Sequence, residues 1–367
     1  MRFISIPTLL RTYQTLKPAI LCASIAVTAL AYSQSQAAFQ EQAMSGYDRF
    51  DIKAAHRNAL VQGSIWYPAS TRTYASWIGG NAVFQGNRVM LGAGIKPGRY
   101  PLVVLSHGTG GNMDGLGWLS SKLVDAGVLV VGLNHPGSTS QDITPTSAAR
   151  VWERPQDISA AIDEILADPV FGPNIDQSRI YTLGFSLGGI SALQSIGLQM
   201  DISAYADYCV KEPASQGCAF FARGGVDFRK LDQAKANASY GDPRLAGTIA
   251  IDPGLTVALT QDSIRANTKP SLLINLGSDK TLWKAINVGP TGTQLAARLP
   301  GARYLQIAPA DHFSFLGLCK KSGPEILREI NDEPVCDDPK GADRADIHRQ
   351  VIEAVRDFID LTSNQKG

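Results

Sequence analysis

From about residue 100 onward, short apolar runs alternate with stretches in which apolar residues recur at helical spacing. The runs have the length and continuity of strands that are buried on both faces. They predict strands over residues 100–106, 128–134, 179–184, 245–251, 270–276 and 302–307. The periodic stretches predict helices over residues 115–126, 154–167, 187–199 and 345–361. Strands that alternate with helices form a mostly parallel sheet covered on both faces, so the pattern predicts an α/β fold.

Two segments depart from this alternation. Residues 64–67 are rich in Trp and Tyr and are predicted as an antiparallel edge of the sheet. Residues 200–244 contain an apolar-aromatic stretch at 219–221 but no clear strand. Segments this long inside a compact domain are usually functional, so we expect a cap insertion over the site, with a solvated surface excursion as the alternative. No linker or repeat interrupts the sequence, which predicts one domain over residues 38–367.

The N-terminal segment has the composition of an export signal. Basic residues without any acidic ones precede an apolar run over residues 19–31, and a small-x-small pattern ends at Ala37. The run is shorter than the roughly 20 apolar residues that span a bilayer. These features predict a signal peptide over residues 1–37, with an uncleaved membrane anchor as the alternative. We therefore expect a periplasmic or secreted protein with no stable membrane span after cleavage.

Composition and charge narrow the class of partner. The chain has 34 Lys+Arg against 33 Asp+Glu, a net charge of +1, and 18% charged residues. A nucleic-acid-binding protein normally carries a basic excess on one face, so no nucleic-acid partner is expected. Removal of the basic leader would leave a mildly acidic mature chain, which suits an uncharged or weakly polar substrate better than a polyanion.

Four cysteines lie beyond the leader, at Cys209, Cys218, Cys319 and Cys336. An even number in an exported chain predicts disulfides. Proximity along the chain favours Cys209 with Cys218 and Cys319 with Cys336, among three possible pairings, and four free thiols are the alternative. The sequence has no Cys/His spacing typical of zinc sites, and no metal or organic cofactor is expected.

The sequence Gly-Phe-Ser-Leu-Gly at residues 184–188 carries the candidate nucleophile. It directly follows a predicted strand and opens a predicted helix, which is the setting of a nucleophile elbow. A nucleophile elbow is a sharp turn that the flanking glycines permit, and it leaves the serine hydroxyl exposed above the sheet. We therefore predict Ser186 as a catalytic nucleophile.

A glycine-rich sequence at residues 107–111 follows another predicted strand. Glycines let the main chain approach a substrate, and acyl transfer needs backbone N–H groups to hold the negative charge that develops on the carbonyl oxygen. The predicted oxyanion donors are the amides of Thr109 and Leu187. His107 is interpreted as a residue that orients the loop. In enzymes with a nucleophile elbow the histidine base follows the serine along the chain, whereas His107 precedes Ser186.

Among the five histidines, His312 sits in a loop just after a late strand, where the base is expected. The acid is left open between two aspartates. Asp279 follows the strand predicted at residues 270–276, and Asp252 ends the strand before it. Asp311 is a weaker third candidate, because neighbouring residues seldom face each other. Whichever aspartate serves would fix the imidazole tautomer and stabilise the imidazolium.

Several motifs occur in an order that resembles a known family. They are SHGTGGN (106–112), NHPGS (134–138), GFSLGG (184–189), DPRLAGTIAIDPGL (242–255), DHFSFL (311–316) and DRADIHRQV (343–351). From about residue 45 to the C-terminus, the chain is thereby similar to bacterial dienelactone-hydrolase-like esterases, a group akin to the platelet-activating-factor acetylhydrolases. The resemblance implies an α/β-hydrolase fold and ester hydrolysis.

The same resemblance bears on the acid and on the substrate. In the acetylhydrolases the acid follows a strand that is similar to residues 249–252 here, which supports Asp252 as a candidate. True dienelactone hydrolases have a cysteine nucleophile, whereas this chain has Ser186, so their substrate is not carried over.

Together these features predict an exported serine hydrolase. The expected reaction is hydrolysis of a carboxylic ester, a small-molecule ester or a lipid-like substrate, through an acyl-enzyme intermediate. The alternatives are a phospholipase A2-like or polyester hydrolase, an amidase, and a non-catalytic binding module of the same fold. Acyl chain length and oligomeric state are left open by the sequence.

Overall fold

The computed structural model describes residues 44–364, except for the side chains at positions 361, 363 and 364. The signal peptide predicted at residues 1–37 lies outside the described residues. In the described part, one sheet of 10 strands forms the centre of the fold. The strands are β1 Gly46–Ile52, β2 Val61–Tyr67, β3 Tyr74–Ile78, β4 Asn87–Leu91, β5 Tyr100–Ser106, β6 Leu129–Asn134, β7 Ile175–Phe185, β8 Leu245–Ile251, β9 Ser271–Leu276 and β10 Ala302–Ile307.

The strand order in the sheet is β10-β9-β8-β7-β5-β6-β2-β1-β4-β3. All pairings from β10 to β6 are parallel, whereas β2 pairs antiparallel with both β6 and β1. The predicted mostly parallel sheet is therefore confirmed. The prediction for residues 64–67 is wrong in one respect, because β2 is antiparallel but internal, and β3 is the edge strand on that side.

Helices cover both faces of the sheet. The α-helices are α1 Gly117–Asp125, α2 Pro145–Ala148, α3 Glu153–Ala167, α4 Leu187–Ser195, α5 Ile202–Lys211, α6 Gln216–Arg223, α7 Gln233–Ala236, α8 Gln261–Ala266, α9 Leu295–Arg298, α10 Gly323–Glu329 and α11 Arg344–Asn364. Short 3-10 helices span Asp114–Leu116, Gly172–Asn174, Phe228–Lys230, Thr256–Ala258 and His312–Phe315. Over residues 44–364, none of the helices is both long enough and apolar enough to cross a membrane.

The side chains of β5 show how the two hydrophobic layers arise. Leu102 and Val104 pack in the layer that also contains residues of α3 and α4, while Val103 and Leu105 pack in the layer that contains residues of α1 and α11. Because both faces are covered, β5 is a continuous apolar run rather than an alternating one. The carboxyl ends of the parallel strands meet at one edge of the sheet, which is where open α/β sheets bind ligands.

The 200–244 segment is built mainly of the short helices α5, α6 and α7 between α4 and β8, without a strand. The rings of Tyr205 and Phe221 both pack edge-on against Phe228, at centroid distances of 4.9 and 5.0 Å. These aromatic contacts give the insertion a core that joins the main hydrophobic layer. Whether it acts as a cap over the site stays a prediction.

Two disulfides are present in the described part. Cys209 pairs with Cys218 at a Cα–Cα distance of 5.3 Å, and Cys319 pairs with Cys336 at 6.0 Å. The first joins α5 to α6, and the second joins the chain after the 3-10 helix at 312–315 to the loop before α11. The pairing predicted from sequence proximity is confirmed, and the alternative of four free thiols is wrong.

Candidate active site

Ser186 occupies the turn between β7 and α4. Its backbone has φ 55° and ψ −117°, a conformation that residues with a side chain rarely adopt. Such a conformation costs on the order of 1–3 kcal/mol and is found mainly at functional sites. The turn is held by Ser186 N–H, which donates to Ile251 O over 2.9 Å, and by Gly254 N–H, which donates to Ser186 O over 3.0 Å. The hydroxyl group is therefore presented by a strained and firmly anchored turn.

The glycines on both sides of Ser186 are required by close backbone contacts. A Cβ atom on Gly184 would lie 1.9 Å from Gly188 O, and a Cβ atom on Gly188 would lie 2.0 Å from Ser106 O. Both distances are far below van der Waals contact, so no side chain fits at either position. The glycines thus bring the turn at Ser186 against the carboxyl end of β5.

His312 links Ser186 to Asp252. Its Nε2 lies 3.1 Å from Ser186 Oγ, and its Nδ1 lies 3.0 Å from Asp252 Oδ2. With the ring proton on Nδ1, the imidazole donates to the carboxylate and its Nε2 accepts from the serine hydroxyl. His312 is 6% exposed and Asp252 is fully buried. A serine, a base and a group that orients the base are therefore joined in one hydrogen-bonded chain.

Asp252 is anchored on the side that faces away from His312. It directly follows β8 and has a φ of 43°. Its Oδ1 accepts from Asn275 Nδ2 and from Leu276 N–H, each over 2.9 Å. Asn275 also donates to Ile286 O over 2.9 Å, so its amide is itself fixed. These bonds leave Oδ2 directed at the imidazole.

The other two aspartates considered from the sequence lie elsewhere. Asp279 is exposed, and its Oδ1 accepts from Thr291 Oγ1 and Gln306 Nε2 at 3.3 and 3.4 Å. Asp311 accepts backbone N–H groups of its own short helix over 2.9 and 3.0 Å, as a helix cap. Of the three aspartates, the described structure brings only Asp252 into hydrogen-bond contact with His312.

The two predicted oxyanion donors are unpaired. In the described part of the chain, the N–H groups of Thr109 and Leu187 have no hydrogen-bond partner within the protein. Leu187 is the first residue of α4, where backbone N–H groups have no partner inside the helix. The loop that carries Thr109 lies against the turn, since a Cβ atom on Gly108 would be 3.1 Å from Ser186 Cβ. Both amides are therefore available near the serine.

Aromatic rings enclose the imidazole of His312. Phe185 stacks on it at a centroid distance of 4.6 Å, Trp283 lies at 4.5 Å, and Phe313 meets it edge-on at 5.7 Å. Trp283 is partly exposed and forms an apolar rim beside the imidazole. The neighbouring Lys284 pairs with Glu212, the residue directly after α5, over 3.0 Å, so the helical insertion reaches this rim.

A second serine, histidine and aspartate form a buried chain behind the loop after β5. Ser106 Oγ lies 2.9 Å from His135 Nε2, and His135 Nδ1 lies 2.8 Å from Asp157 Oδ2. All three residues are fully buried. Burial lowers the pKa of His135 to about 3, so its imidazole is neutral. Asp157 also accepts from Arg57 Nε and Nη2 over 2.9 and 2.6 Å, which balances its charge.

Arg154 connects this buried chain to the glycine-rich loop. Its guanidinium donates to Ser106 Oγ over 3.2 Å and to the carbonyl oxygen of His107. Burial and the Arg154 charge hold the pKa of His107 well below its usual range. The neutral His107 ring donates from Nδ1 to Gly108 O over 2.7 Å, a contact that fits the interpretation of His107 as a residue that orients the loop.

A polar cavity of about 650 Å³ adjoins the loops after β5 and β6. Asn112 and Asn134 line it, whereas the residues of the Ser186 array do not. Both asparagines already hydrogen bond to the protein, for example Asn134 Oδ1 with Met113 N–H over 2.9 Å. The described residues contain no group of His, Cys, Asp and Glu side chains arranged to hold a metal ion.

Comparison with known proteins places the fold. No family model matches the chain, and no curated protein matches it in sequence. Among solved structures, the chain is similar to a ferulic acid esterase from Streptomyces cinnamoneus, with a TM-score of 0.58 and 18% identity over 88% of this chain and 90% of that chain. A likeness at this level of identity establishes the fold, and it confirms the predicted α/β-hydrolase architecture.

Sequence reasoning missed three residues that shape the site. Asn275 is a polar residue inside an otherwise apolar strand, a signal that could have found it. Arg154 lies four residues before Ile158 on the buried face of α3, so its position on the helix was a second usable signal. Trp283 lies in an irregular segment between β9 and α9, and no periodic pattern marks it.

Proposed function

We propose that this protein is an exported serine hydrolase that cleaves carboxylic esters. The observation that carries the proposal is the continuous hydrogen-bonded chain from Ser186 through His312 to Asp252, which starts at a strained turn beside unpaired amides. A partly exposed serine on a strained strand-to-helix turn, hydrogen bonded to a histidine, is the arrangement typical of nucleophilic catalysis. The esterase named among the similar structures supports an ester as substrate.

In the proposed first step, Ser186 Oγ attacks the ester carbonyl carbon while His312 Nε2 takes the hydroxyl proton. The negative charge on the carbonyl oxygen is held by the N–H groups of Thr109 and Leu187. Collapse of this intermediate breaks the ester C–O bond, and the imidazolium returns the proton to the leaving alcohol. Asp252 keeps Nδ1 protonated and stabilises the imidazolium.

In the second step, water replaces the alcohol. His312 Nε2 takes a proton from the water as its oxygen attacks the acyl carbon, and the same amides hold the oxyanion. The proton then returns to Ser186 Oγ as the acid leaves. Every proton moves through one imidazole, so no metal or organic cofactor enters the proposed reaction.

The substrate proposed here is uncharged around the ester bond. The rings of Phe185, Trp283 and Phe313 beside the imidazole favour an apolar acyl or alcohol group. The ordered motifs that resemble the dienelactone-hydrolase-like esterases point to the same chemistry, and membership of that group stays part of this proposal. The two disulfides support an oxidising compartment and hence export.

The test is hydrolysis of p-nitrophenyl esters of graded acyl length by the wild type and by Ser186→Ala. We expect kcat to fall by about 10⁴-fold or more in the variant, because the nucleophile is lost. An unchanged thermal melting curve would show that the variant is folded. Full activity in a folded Ser186→Ala variant would sink the proposal, and the preferred acyl length would separate a short-chain esterase from a phospholipase-like or polyester hydrolase.

A further inference from the structure

We infer that Arg154 is a positioning residue that holds the oxyanion loop and the nucleophile helix in one fixed arrangement. This inference rests on the proposed function, because it assigns a role in the same site. In the described part of the chain, the hydrogen bonds of Arg154 go to Ser106, His107, Ser138 and Ser191 rather than to the Ser186 array, so Arg154 would act through the backbone of residues 107–111 and through α4.

The guanidinium of Arg154 joins three separate elements. Its Nε donates to Ser191 Oγ in α4 over 3.0 Å, and its Nη1 donates to Ser138 Oγ in the loop after β6 over 2.6 Å. Its Nη2 donates to Ser106 Oγ over 3.2 Å and to His107 O at the carboxyl end of β5. Arg154 is 2% exposed, so these bonds are sheltered from water.

The contact with His107 O acts directly on the predicted oxyanion loop. That carbonyl group is part of the peptide bond between His107 and Gly108, and Gly108 directly precedes Thr109. Ser138 completes a ring, since its side chain accepts from Arg154 while its carbonyl oxygen accepts from Gly110 N–H over 3.0 Å. The loop is thereby held on both sides of Thr109.

The same guanidinium also sets how α4 meets the loop. A Cβ atom on Gly188 would lie 2.8 Å from His107 O, so helix and loop are already in close backbone contact. Arg154 bonds to both partners, through Ser191 in the helix and His107 in the loop. Arg154 therefore ties the helix that carries the Leu187 amide to the loop that carries the Thr109 amide.

A role in stabilising the fold explains the buried cation of Arg154 less well than a positioning role does. All four acceptors of Arg154 are neutral groups, and the nearby Asp157 already accepts from both Arg57 and His135. A buried charge without a directly bonded counter-ion is destabilising compared with neutral packing. The planar guanidinium instead provides hydrogen-bond donors in a fixed geometry, and such a group can hold three elements together.

The experiment compares Arg154→Lys and Arg154→Met with Arg57→Lys as a matched control. The control changes another arginine of the same region, which has a side chain only 6% exposed and partners, Glu153 and Asp157, that lie outside the loop. The measurements are kcat and KM with p-nitrophenyl butyrate, the rate of inactivation by diisopropyl fluorophosphate, and the melting temperature. Active-site titration normalises each rate to the folded fraction.

For Arg154→Met we expect kcat and the inactivation rate to fall on the order of 100-fold, as for the loss of one oxyanion donor, with KM nearly unchanged. Arg154→Lys should recover part of the rate, since it restores the charge but not the fork. Arg57→Lys should lower the melting temperature while kcat stays close to the wild-type value. A fall in kcat with KM nearly unchanged would not follow from a general loss of fold stability.

Ser138→Ala keeps the inference testable if Arg154→Met fails to fold. It removes one acceptor of the guanidinium and should lower kcat severalfold without changing KM. Folded Arg154→Lys and Ser138→Ala variants with wild-type kcat would overturn the inference. If Ser186→Ala is inactive in the same assay, that result leaves the proposed function intact, whereas an active Ser186→Ala variant would remove the function itself.

Discussion

Two Ser-His-Asp chains of almost equal geometry lie in this molecule. In the candidate active site, the Ser186–His312 and His312–Asp252 distances are 3.1 and 3.0 Å. In the buried chain from Ser106 through His135 to Asp157, the corresponding distances are 2.9 and 2.8 Å. Hydrogen-bond geometry therefore does not distinguish a candidate nucleophile from a structural serine.

The surroundings of the two serines do distinguish them. Ser186 is partly exposed and has a φ of 55°, whereas Ser106 is fully buried at the end of β5 and is not among the described residues with positive φ. Two unpaired amides lie near Ser186, while Ser106 Oγ already accepts from Arg154. Access, backbone strain and free donors are thus the features that mark a site for chemistry.

The largest expected difference between the chains concerns their aspartates. Asp252→Asn should lower kcat about 10⁴-fold with the fold retained, because the imidazole loses the partner that fixes its tautomer. Asp157→Asn should instead lower the free energy of unfolding by about 3–5 kcal/mol, because the fully buried carboxylate that accepts from Arg57 and His135 is lost, and Arg57 keeps only Glu153 as its counter-ion. Ester hydrolysis and urea unfolding measure the two effects.

Asp279→Asn is the matched control for the aspartate comparison, because Asp279 also follows a strand but is exposed. It should change the free energy of unfolding by no more than about 0.5 kcal/mol and leave kcat near the wild-type value. A collapse of kcat in Asp279→Asn, with Asp252→Asn active, would assign the acid to the other candidate.

A smaller effect is expected at the buried serine. Ser106→Ala removes one partner from His135 Nε2 and one from Arg154, so the free energy of unfolding should fall by about 1–3 kcal/mol. The activity should fall no more than severalfold, as for the other Arg154 acceptor Ser138, in contrast to the loss expected for Ser186→Ala. Labelling with diisopropyl fluorophosphate followed by peptide mass analysis should place the adduct on Ser186 in both the wild type and Ser106→Ala. An adduct on Ser106 would contradict the distinction drawn between the two serines.

Much of the fold could be predicted because its strands are buried on both faces. The bounds predicted for β8 and β10, residues 245–251 and 302–307, agree with the structure residue for residue. Helix ends were less accurate, since α4 ends at Ser195 rather than at residue 199. Apolar runs define buried strands sharply, whereas a helix end depends on contacts that the local sequence does not contain.

The choice of the acid could not be predicted, for a physical reason. Asp252 and Asp279 both follow strands at the same edge of the sheet, so position along the chain does not separate them. Their side chains differ in direction because Asp252 has a φ of 43° and is held from behind by Asn275. The roles of Ser186, His312 and either aspartate stay predictions until the variants are measured.

The partners within the buried Ser106–His135–Asp157 chain could not be predicted, for a related reason. The helical spacing places Arg154 and Asp157 on the side of α3 that packs on the sheet, but it does not show which groups they contact there. Their partners come from the ends of β5 and β6 and from Arg57, which are distant in sequence. Only the tertiary packing brings these polar groups together.

The two hydrogen-bonded Ser-His-Asp chains should also differ in their response to acid. The folded pKa of His135 is lowered to about 3, while an unfolded histidine titrates near 6.5. Between these values the unfolded state binds more protons, so the free energy of unfolding should fall as the pH falls, by up to about 1.4 kcal/mol per pH unit for this histidine. Burial also lowers the folded pKa of His348, to about 4, so it adds to the same loss.

In His135→Gln this loss of stability on acidification should become shallower, as measured by urea unfolding between about pH 7 and 4. The acid limb of kcat/KM reports the general base of the free enzyme, which is proposed to be His312. That limb should therefore keep its position in the folded variant. A shift of the acid limb together with the stability curve would mean that the buried chain and the active site titrate as one unit, and the separation between them would then be wrong.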